Sequence, residues 1–150
     1  MALEVYPLQG VLGHGLVPLV YGDVALDELW GTTIISTEAI FAHLARLLRP
    51  QRIVLVGEVK GVYSADPRQD PQARLIPVIH ASHLGEAESA LGGSHGVDVT
   101  GGMRTKVHLM VDLVRALPGL RVYLLSGLQP GLLEHTLGDP RFNPGTLIIG

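Results

Sequence analysis

Apolar residues occur along this chain in two patterns, short continuous runs typical of buried strands and longer stripes at helical spacing. The first run, residues 16–21, is closed by a polar turn and predicts a buried strand, although Pro18 disfavours a central place in a sheet. A second apolar stretch, from Val24 to Ile35, is interrupted by polar residues and glycine. This interruption predicts a β-hairpin.

Two later segments carry apolar residues at helical spacing. The first predicts a helix from about Thr37 to Leu48, with Ser36 as its N-cap and Pro50 just beyond its end. Its apolar face comprises Ile40, Phe41, Leu44, Leu47 and Leu48. The second predicts a helix from about Gly102 to Leu117, ended by Pro118-Gly119, with a stripe of Met103, Val107, Met110, Val111 and Val114.

The remaining runs complete an alternation of strands and helices. The predicted strands are Ile53 to Val56, 75–79, Arg121 to Leu125 and Leu147 to Ile149. Between them the sequence predicts a helix from Ser82 to Leu91, a loop from Gly92 to Val97 and a helix that starts at Pro130. This order predicts an α/β fold with a mainly parallel sheet flanked by helices. Ligands of such a sheet bind at the carboxyl ends of its strands.

Composition narrows the class of protein. A chain of 150 residues predicts one domain, and the lack of Cys excludes thiol catalysis, disulfides and Cys-ligated zinc. A formal net charge of −3 disfavours a nucleic-acid partner. No apolar run is long enough for a membrane helix and no basic secretory start is present, which predicts a soluble, cytoplasmic protein without a membrane partner. The charged fraction of 17% is low, which predicts that part of the surface is apolar and contacts a partner outside these 150 residues.

The stretch Asp98 to Lys106 is the strongest candidate for chemistry. Gly101 and Gly102 open the second predicted helix, where a glycine pair lets the backbone approach an anion and the first amides favour a phosphate. Lys106 lies one turn further on, so its ammonium group can return over the same phosphate. The alternative is a glycine turn followed by an ordinary amphipathic helix with a solvated lysine.

Two other strand exits carry polar groups. In the stretch Gly57 to Pro67, Glu58 can accept from a ribose hydroxyl or lie near magnesium, and Val62 and Tyr63 can flank a base. The alternative is a strand exit with a packed tyrosine.

At Ser36-Thr37-Glu38, hydroxyls and free amides can hold a phosphate and a carboxylate can orient lysines, whereas the alternative is a plain helix cap. The seven His residues show no metal-binding spacing, so no protein metal site is predicted.

Taken together, these motifs resemble the amino acid kinase superfamily. The matching strings, in order, are Gly22-Asp23-Val24, Ser36-Thr37-Glu38, Gly57-Glu58-Val59-x-Gly61-Val62-Tyr63-x-x-Asp66-Pro67, Asp98-Val99-Thr100-Gly101-Gly102-Met103-x-x-Lys106 and Gly145-Thr146. The resemblance runs from about Leu16 to Ile149. The order of the strings and the Asp98 to Met103 string are most similar to the branch of isopentenyl phosphate kinases.

The resemblance implies an αβα sandwich and transfer of the γ-phosphoryl group of ATP with Mg²⁺, in this branch to isopentenyl phosphate for isoprenoid synthesis. Gly101, Gly102 and Lys106 would then hold the ATP phosphates, with Lys106 stabilising charge on the moving group. The nucleotide pocket would comprise Glu58, Val62, Tyr63, Asp66 and Pro67. Ser36 and Thr37 would lie by the acceptor phosphate, and Glu38 would organise the catalytic lysines. Positioning and electrostatics can supply most of the catalysis.

Two departures from the family pattern change what is expected. Lys60 stands where many relatives carry Asp. The match also covers only the C-terminal, nucleotide-binding half of the family's domain, so an N-terminal half, in cis or in trans, is the expected partner for acceptor binding, and a homodimer is a second possibility. Two alternatives stay open: a non-catalytic nucleotide-binding or assembly module, and a kinase of another small phosphate, phosphonate or carboxylate.

Overall fold

The computed structural model of the protein describes residues 4–85, 87 and 102–150. The chain divides into two compact units, an N-terminal unit of Met1–Leu48 and a C-terminal unit of Arg49–Gly150. Within the described residues no helix is both long and apolar enough to cross a membrane.

The N-terminal unit contains α1 (Tyr6–Gly13), β1 (Val24–Asp27), β2 (Gly31–Ile34) and α2 (Thr37–Leu48). The strands β1 and β2 form the predicted hairpin, and the Asp27 carboxylate closes its turn by accepting from the backbone N–H groups of Leu29 and Trp30. Helix α2 has the predicted bounds. Its N-cap is Ser36, whose Oγ accepts from the Ala39 N–H at 3.2 Å.

Two sequence predictions for this unit need correction, and one helix was not predicted. Residues 16–21 form no strand, and Val17 and Leu19 are 92% and 91% exposed. Pro18 has no N–H to donate, and no strand in the described residues pairs with the segment. Helix α1 was not predicted, and it buries none of its side chains. In α2 the buried residues are Ile40, Ala42, Leu44 and Ala45, whereas Phe41, Leu47 and Leu48 of the predicted apolar face are exposed.

The C-terminal unit is built on a four-stranded sheet. Its elements are β3 (Arg52–Gly57), β4 (Val78–His80), α3 (Gly102–Ala116), β5 (Arg121–Ser126), α4 (Leu132–Gly138) and β6 (Thr146–Ile149). The strand order is β3-β5-β6-β4, with β3 parallel to β5, β4 parallel to β6, and β5 antiparallel to β6. The predicted α/β class with a mainly parallel sheet is therefore confirmed.

Helix α3 packs on the centre of this sheet, against β5 and β6. Four of the five residues of the predicted stripe are fully buried, and Leu113 joins them, because they face the apolar strand β5. A short turn with Gly119 at φ +87° connects α3 to β5, so the helix runs antiparallel to that strand. The start of α3 therefore lies toward the edge of the sheet at which β3 and β5 end.

Three predicted elements of this unit differ from the structure. The strand expected at 75–79 is Val78–His80, because Leu75 instead bridges to Tyr63. Helix α4 begins at Leu132 rather than at Pro130, since Gly131 between them is the N-cap with φ +77°, a left-handed conformation that cannot be part of the helix. Residues 82–85 form a turn and an isolated bridge instead of the start of a helix. The rest of that predicted helix, apart from Ala87, and the loop Gly92 to Val97 lie outside the described residues.

Candidate functional site

The carboxyl ends of the parallel strands β3 and β5 are joined by hydrogen bonds. The Gly127 N–H donates to the Gly57 carbonyl at 2.8 Å, and the buried Ser126 hydroxyl donates to the Glu58 carbonyl at 3.0 Å. We call residues 58–63, which leave β3 here, the exit loop. These two bonds fix the first half of the exit loop to the end of the neighbouring strand.

A second anchor holds the other half of the exit loop. The Val62 N–H donates to Thr146 Oγ1 at 2.8 Å, and the same hydroxyl donates to the Ile76 carbonyl at 2.7 Å. A Cβ on Gly61 would lie 2.5 Å from Thr146 Oγ1, so glycine is required here by the close approach of β6. The exit loop is therefore shaped by the starts of β6 and β4 as well as by the end of β5.

The side chains of this loop, including those predicted to contact a nucleotide, have different environments. Glu58 and Lys60 are exposed, Tyr63 is half-buried, and Val62 is a core residue that is only 2% exposed. The Glu58 carboxylate lies 3.4 Å from the Arg68 guanidinium, and both side chains are largely solvated. The structure thus brings Glu58, Val62 and Tyr63 together on one loop. The nucleotide contacts of Glu58 and Tyr63 stay predictions, whereas Val62, whose side chain is buried, could contact a base only through its backbone.

Asp66 and Pro67 start a tight turn after the exit loop. Asp66 Oδ1 accepts from the Arg68 N–H at 2.9 Å, Oδ2 accepts from Gln69 Nε2 at 3.1 Å, and the Asp66 carbonyl accepts from the Asp70 N–H at 2.8 Å. Pro67 supplies the fixed φ that suits the first position of such a turn. Both carboxylate oxygens of Asp66 therefore stabilise the loop between the exit loop and Leu75.

We expect Asp66→Ala to loosen this turn locally. Loss of an exposed side-chain hydrogen bond of this kind costs at most about 0.5–1.5 kcal/mol. Hydrogen exchange at the Arg68 and Gln69 amides should become faster while exchange in β5 is unchanged. Asp66→Asn, which keeps one carbonyl oxygen, is the matched control and should retain most of the protection. Equal exchange rates in the alanine variant and the wild type would contradict the structural role assigned to Asp66.

Helix α3 begins at Gly102, the second residue of the predicted glycine pair. Gly102 has φ +58°, which lies in the left-handed region, and Lys106 is half-buried one turn along the helix. Gly101 and residues 98–100 lie outside the described part. Because α3 runs antiparallel to β5, Gly102 and Lys106 lie toward the same sheet edge as the exit loop. The first turn of a helix favours an anion, and a nearby lysine adds a positive charge.

The backbone at Gly102 leads to a second test. We expect Gly102→Ala to destabilise the protein by about 1–2 kcal/mol, because a Cβ is unfavourable at this φ. Gly102→Asn should cost less, since asparagine visits the left-handed region more readily. Urea denaturation of the three proteins measures both effects. An alanine variant as stable as the wild type would show that Gly102 does not need this conformation.

The predicted acceptor residues belong to the N-terminal unit. Ser36 caps α2, Thr37 is exposed, and Glu38 is half-buried in the first turn. A Cβ on Gly22 would contact the Ile35 carbonyl oxygen and lie 2.9 Å from the Thr37 nitrogen. The strings Gly22-Asp23-Val24 and Ser36-Thr37-Glu38 are therefore neighbours in space, as two parts of one tightly packed junction.

The profile of the Amino acid kinase family matches residues 3–126 of the chain. This protein belongs to the amino acid kinase family. The resemblance drawn from the sequence motifs is confirmed at this level. The matched range includes β1 to β5, and with them the exit loop, the start of α3 and the α2 junction.

Within the amino acid kinase family, two curated relatives and one solved structure are most informative. The isopentenyl phosphate kinase of Methanothermobacter thermautotrophicus is 36% identical over 145 residues, which are 95% of this chain and 52% of that protein. A glutamate 5-kinase of Picosynechococcus sp. is 34% identical over 136 residues, 88% of this chain and 35% of that enzyme. The isopentenyl phosphate kinase product complex of T. acidophilum superimposes with a TM-score of 0.74 at 28% identity, covering 98% of this chain and 53% of that one.

The chain therefore spans about half the length of the isopentenyl phosphate kinases that it matches. Its similarity to them is spread over both units, since 95% of the chain aligns with the first of these relatives. Family membership supports a phosphotransferase of the amino acid kinase type.

Two residues that shape the candidate site were not predicted to do so from the sequence. Ser126 received no role, and Thr146 was noted only as part of the string Gly145-Thr146. Both are buried, at 4% and 0% exposure, and both use their hydroxyl groups to hold the exit loop. The sequence did contain a signal for both: Ser126 directly follows the apolar run that ends at Leu125, and Thr146 directly precedes the run that starts at Leu147.

Proposed function

We propose that this chain supplies the ATP site of a kinase that phosphorylates isopentenyl phosphate to isopentenyl diphosphate. The observation that carries the proposal is the start of α3, where Gly102 at φ +58° is followed one turn later by Lys106, toward the sheet edge that bears the exit loop. The 36% identity to the Methanothermobacter thermautotrophicus isopentenyl phosphate kinase supports the choice of acceptor.

The described residues fit the chemistry of a nucleoside triphosphate. Gly102 would let a phosphate approach the backbone at the first turn of a 15-residue helix, and Gly101 precedes it in sequence. Lys106 would stabilise the charge that develops on the transferred group, and the exit loop with Asp66 and Pro67 would form the wall of the nucleotide pocket. Mg²⁺, when bound with the nucleotide, neutralises phosphate charge. Within the described residues no group of three or more His, Asp or Glu is arranged to hold a metal ion by itself.

The acceptor side of the reaction would use residues of the N-terminal unit. In this proposal Ser36 and Thr37 lie by the acceptor phosphate, and Glu38 orients the lysines that neutralise charge. The cap at Ser36 and the close packing of Gly22 against the Thr37 backbone fix this junction, which is what a positioning element requires.

We further propose that the 150 residues are the nucleotide-binding half of a family domain, completed by an N-terminal half in cis or in trans. The half-length coverage of the relatives supports this, and so does the exposure of Leu16, Val17, Leu19 and Tyr21, which are 62–92% exposed. Apolar surface of this kind is typical of a region that is covered in the working protein. The mass of the native protein, captured from its source with an antibody to this segment, tests it: a value near twice 16.0 kDa supports completion in cis.

The nucleotide-binding part of the proposal is tested on the chain itself. Titration with ATP or ADP in the presence of Mg²⁺ should give saturable binding, with GTP as a comparison ligand. Phosphoryl transfer from ATP to isopentenyl phosphate is then measured on the native protein. A chain that binds no nucleotide would contradict the proposal, whereas binding without transfer by the native protein would favour a non-catalytic nucleotide-binding or assembly module.

A second acceptor class has its own support. The Picosynechococcus glutamate 5-kinase is 34% identical to this chain, close to the value for the first isopentenyl phosphate kinase, so a carboxylate acceptor is the competing candidate. Competition between isopentenyl phosphate, glutamate and a small phosphonate in one ATP-consumption assay separates the classes. Preferential turnover of glutamate would replace the isopentenyl phosphate assignment and leave the kinase chemistry in place.

A further inference from the structure

We propose that Thr146 is a positioning residue for the nucleotide, acting through the backbone of the exit loop. This inference rests on the proposed nucleotide site and adds to it a residue from the last strand of the sheet. Thr146 is fully buried at the start of β6, so its side chain does not lie on the surface that a ligand would contact. Its influence on a ligand must therefore pass through the segments that it holds.

The Thr146 hydroxyl is the junction of two segments that are distant in sequence. It accepts from the Val62 N–H at 2.8 Å and donates to the Ile76 carbonyl at 2.7 Å, so its donor and one of its acceptor sites are both used. The Ile76 N–H in turn donates to the Val62 carbonyl at 2.8 Å. Val62, Ile76 and Thr146 thus form a closed set of three hydrogen bonds.

Gly61 and Gly145, next to this set of hydrogen bonds, allow the backbones to pack in direct contact. A Cβ on Gly61 would lie 2.5 Å from Thr146 Oγ1, and a Cβ on Gly145 would contact the Lys60 carbonyl oxygen. The backbone of residues 60–62 is therefore seated directly on residues 145 and 146. On the other side, the Ser126 hydroxyl holds the Glu58 carbonyl at 3.0 Å.

These contacts fix the backbone of the exit loop while leaving Glu58 and Lys60 exposed. A ligand-binding loop with this arrangement binds without first losing backbone freedom, which raises its affinity. The substitution Thr146→Val would replace the hydroxyl by a methyl group. The buried Val62 N–H would then lose its hydrogen-bond partner, and the methyl group would occupy a space sized for oxygen. The loop would then have to move away from β6.

The test compares Thr146→Val with Thr146→Ser and with a matched control at a second buried threonine. Thr136 is also fully buried, but its hydroxyl donates to the Leu132 carbonyl inside α4, away from the exit loop. Thr136→Val therefore removes a buried hydroxyl of the same kind without touching the loop. Each variant is measured for thermal stability, for Mg·ADP affinity by calorimetry and for amide hydrogen exchange.

We expect both valine variants to be less stable than the wild type. Only Thr146→Val should speed exchange at the Val62 and Ile76 amides and weaken Mg·ADP binding, by about tenfold, the change that corresponds to loss of one buried hydrogen bond. Thr146→Ser keeps both hydrogen bonds but loses a buried methyl group, so it should restore both readouts while its stability stays below that of the wild type, a result that a general loss of stability would not explain.

Three other results would each contradict a different part of the inference. A wild-type chain that binds Mg·ADP, together with a Thr146→Val variant that binds it equally well, would overturn the positioning role and leave the proposed function intact. A wild-type chain that does not bind Mg·ADP would overturn the nucleotide site, and the positioning role with it. Unchanged exchange at the Val62 amide in Thr146→Val would overturn the structural basis of the inference.

Discussion

Replacement of Lys106 by alanine is expected to lower ATP-dependent phosphoryl transfer by at least about 10²–10³-fold, the usual effect of removing one group that stabilises transition-state charge. Lys106 lies one turn from the start of α3, and a positive charge there would add to the preference of the helix N-terminus for an anion. Because the charge on the transferred group is spread over its oxygens in the transition state, the loss should fall mainly on kcat. Nucleotide affinity should change less.

Arg104 provides the control for this variant. It is exposed, lies two residues away on the same helix and carries the same charge, so Arg104→Ala changes the net charge equally. Its turnover should stay within about twofold of the wild type, because an exposed charge is screened by solvent. Both variants are assayed in the native protein, and their Mg·ADP affinities are measured in the 150-residue chain. Turnover that survives in Lys106→Ala would remove the catalytic role assigned to this lysine.

Gly145→Ala is expected to destabilise the protein by at least about 3 kcal/mol, one of the larger effects of a single substitution. A Cβ at this position would contact the carbonyl oxygens of Leu124 and Lys60, and both of these are backbone atoms that cannot move aside by changing rotamer. Relief requires β6 to separate from β5 or the exit loop to lift. The free energy of unfolding from urea denaturation measures the effect.

Gly138 is the matched position for comparison. It is the last residue of α4, and a Cβ there would meet nothing within 4 Å. Gly138→Ala should leave the stability unchanged or raise it by up to about 1 kcal/mol, because alanine restricts the unfolded chain. Similar stabilities for the Gly145 and Gly138 variants would mean that the close approach of β6 to the exit loop is absent in solution.

The sequence predicted best those elements in which the pattern of apolar side chains within the element itself shows which face is buried. Helix α3 and strand β5 carry uninterrupted apolar faces, and the structure buries them against each other with bounds close to the predicted ones. Helix α2 was equally well bounded because Ser36 gives a clear N-cap. In each case the decisive information lies within one short window of sequence.

The errors arise where burial depends on a distant partner. Residues 16–21 have the composition of a buried strand, yet no strand in the described residues pairs with them. The roles of Ser126 and Thr146 were missed for a related reason, since their hydrogen bonds join residues far apart in sequence, as between Val62 and Thr146. Local patterns carry no signal for such contacts, whereas the family motifs did mark Gly145-Thr146 without explaining it.

The position of β6 within the sheet has a consequence for how the protein folds. Val78 of β4 pairs with Leu147 of β6, and Arg52 of β3 pairs with Arg121 of β5, so both parallel ladders join residues far apart along the chain. Such topologies fold slowly, because loop closure precedes the gain from pairing. Within the described residues β4 has no neighbour except β6. The sheet can therefore be completed only when β6 inserts between β5 and β4, and we expect this insertion to be a late step of folding.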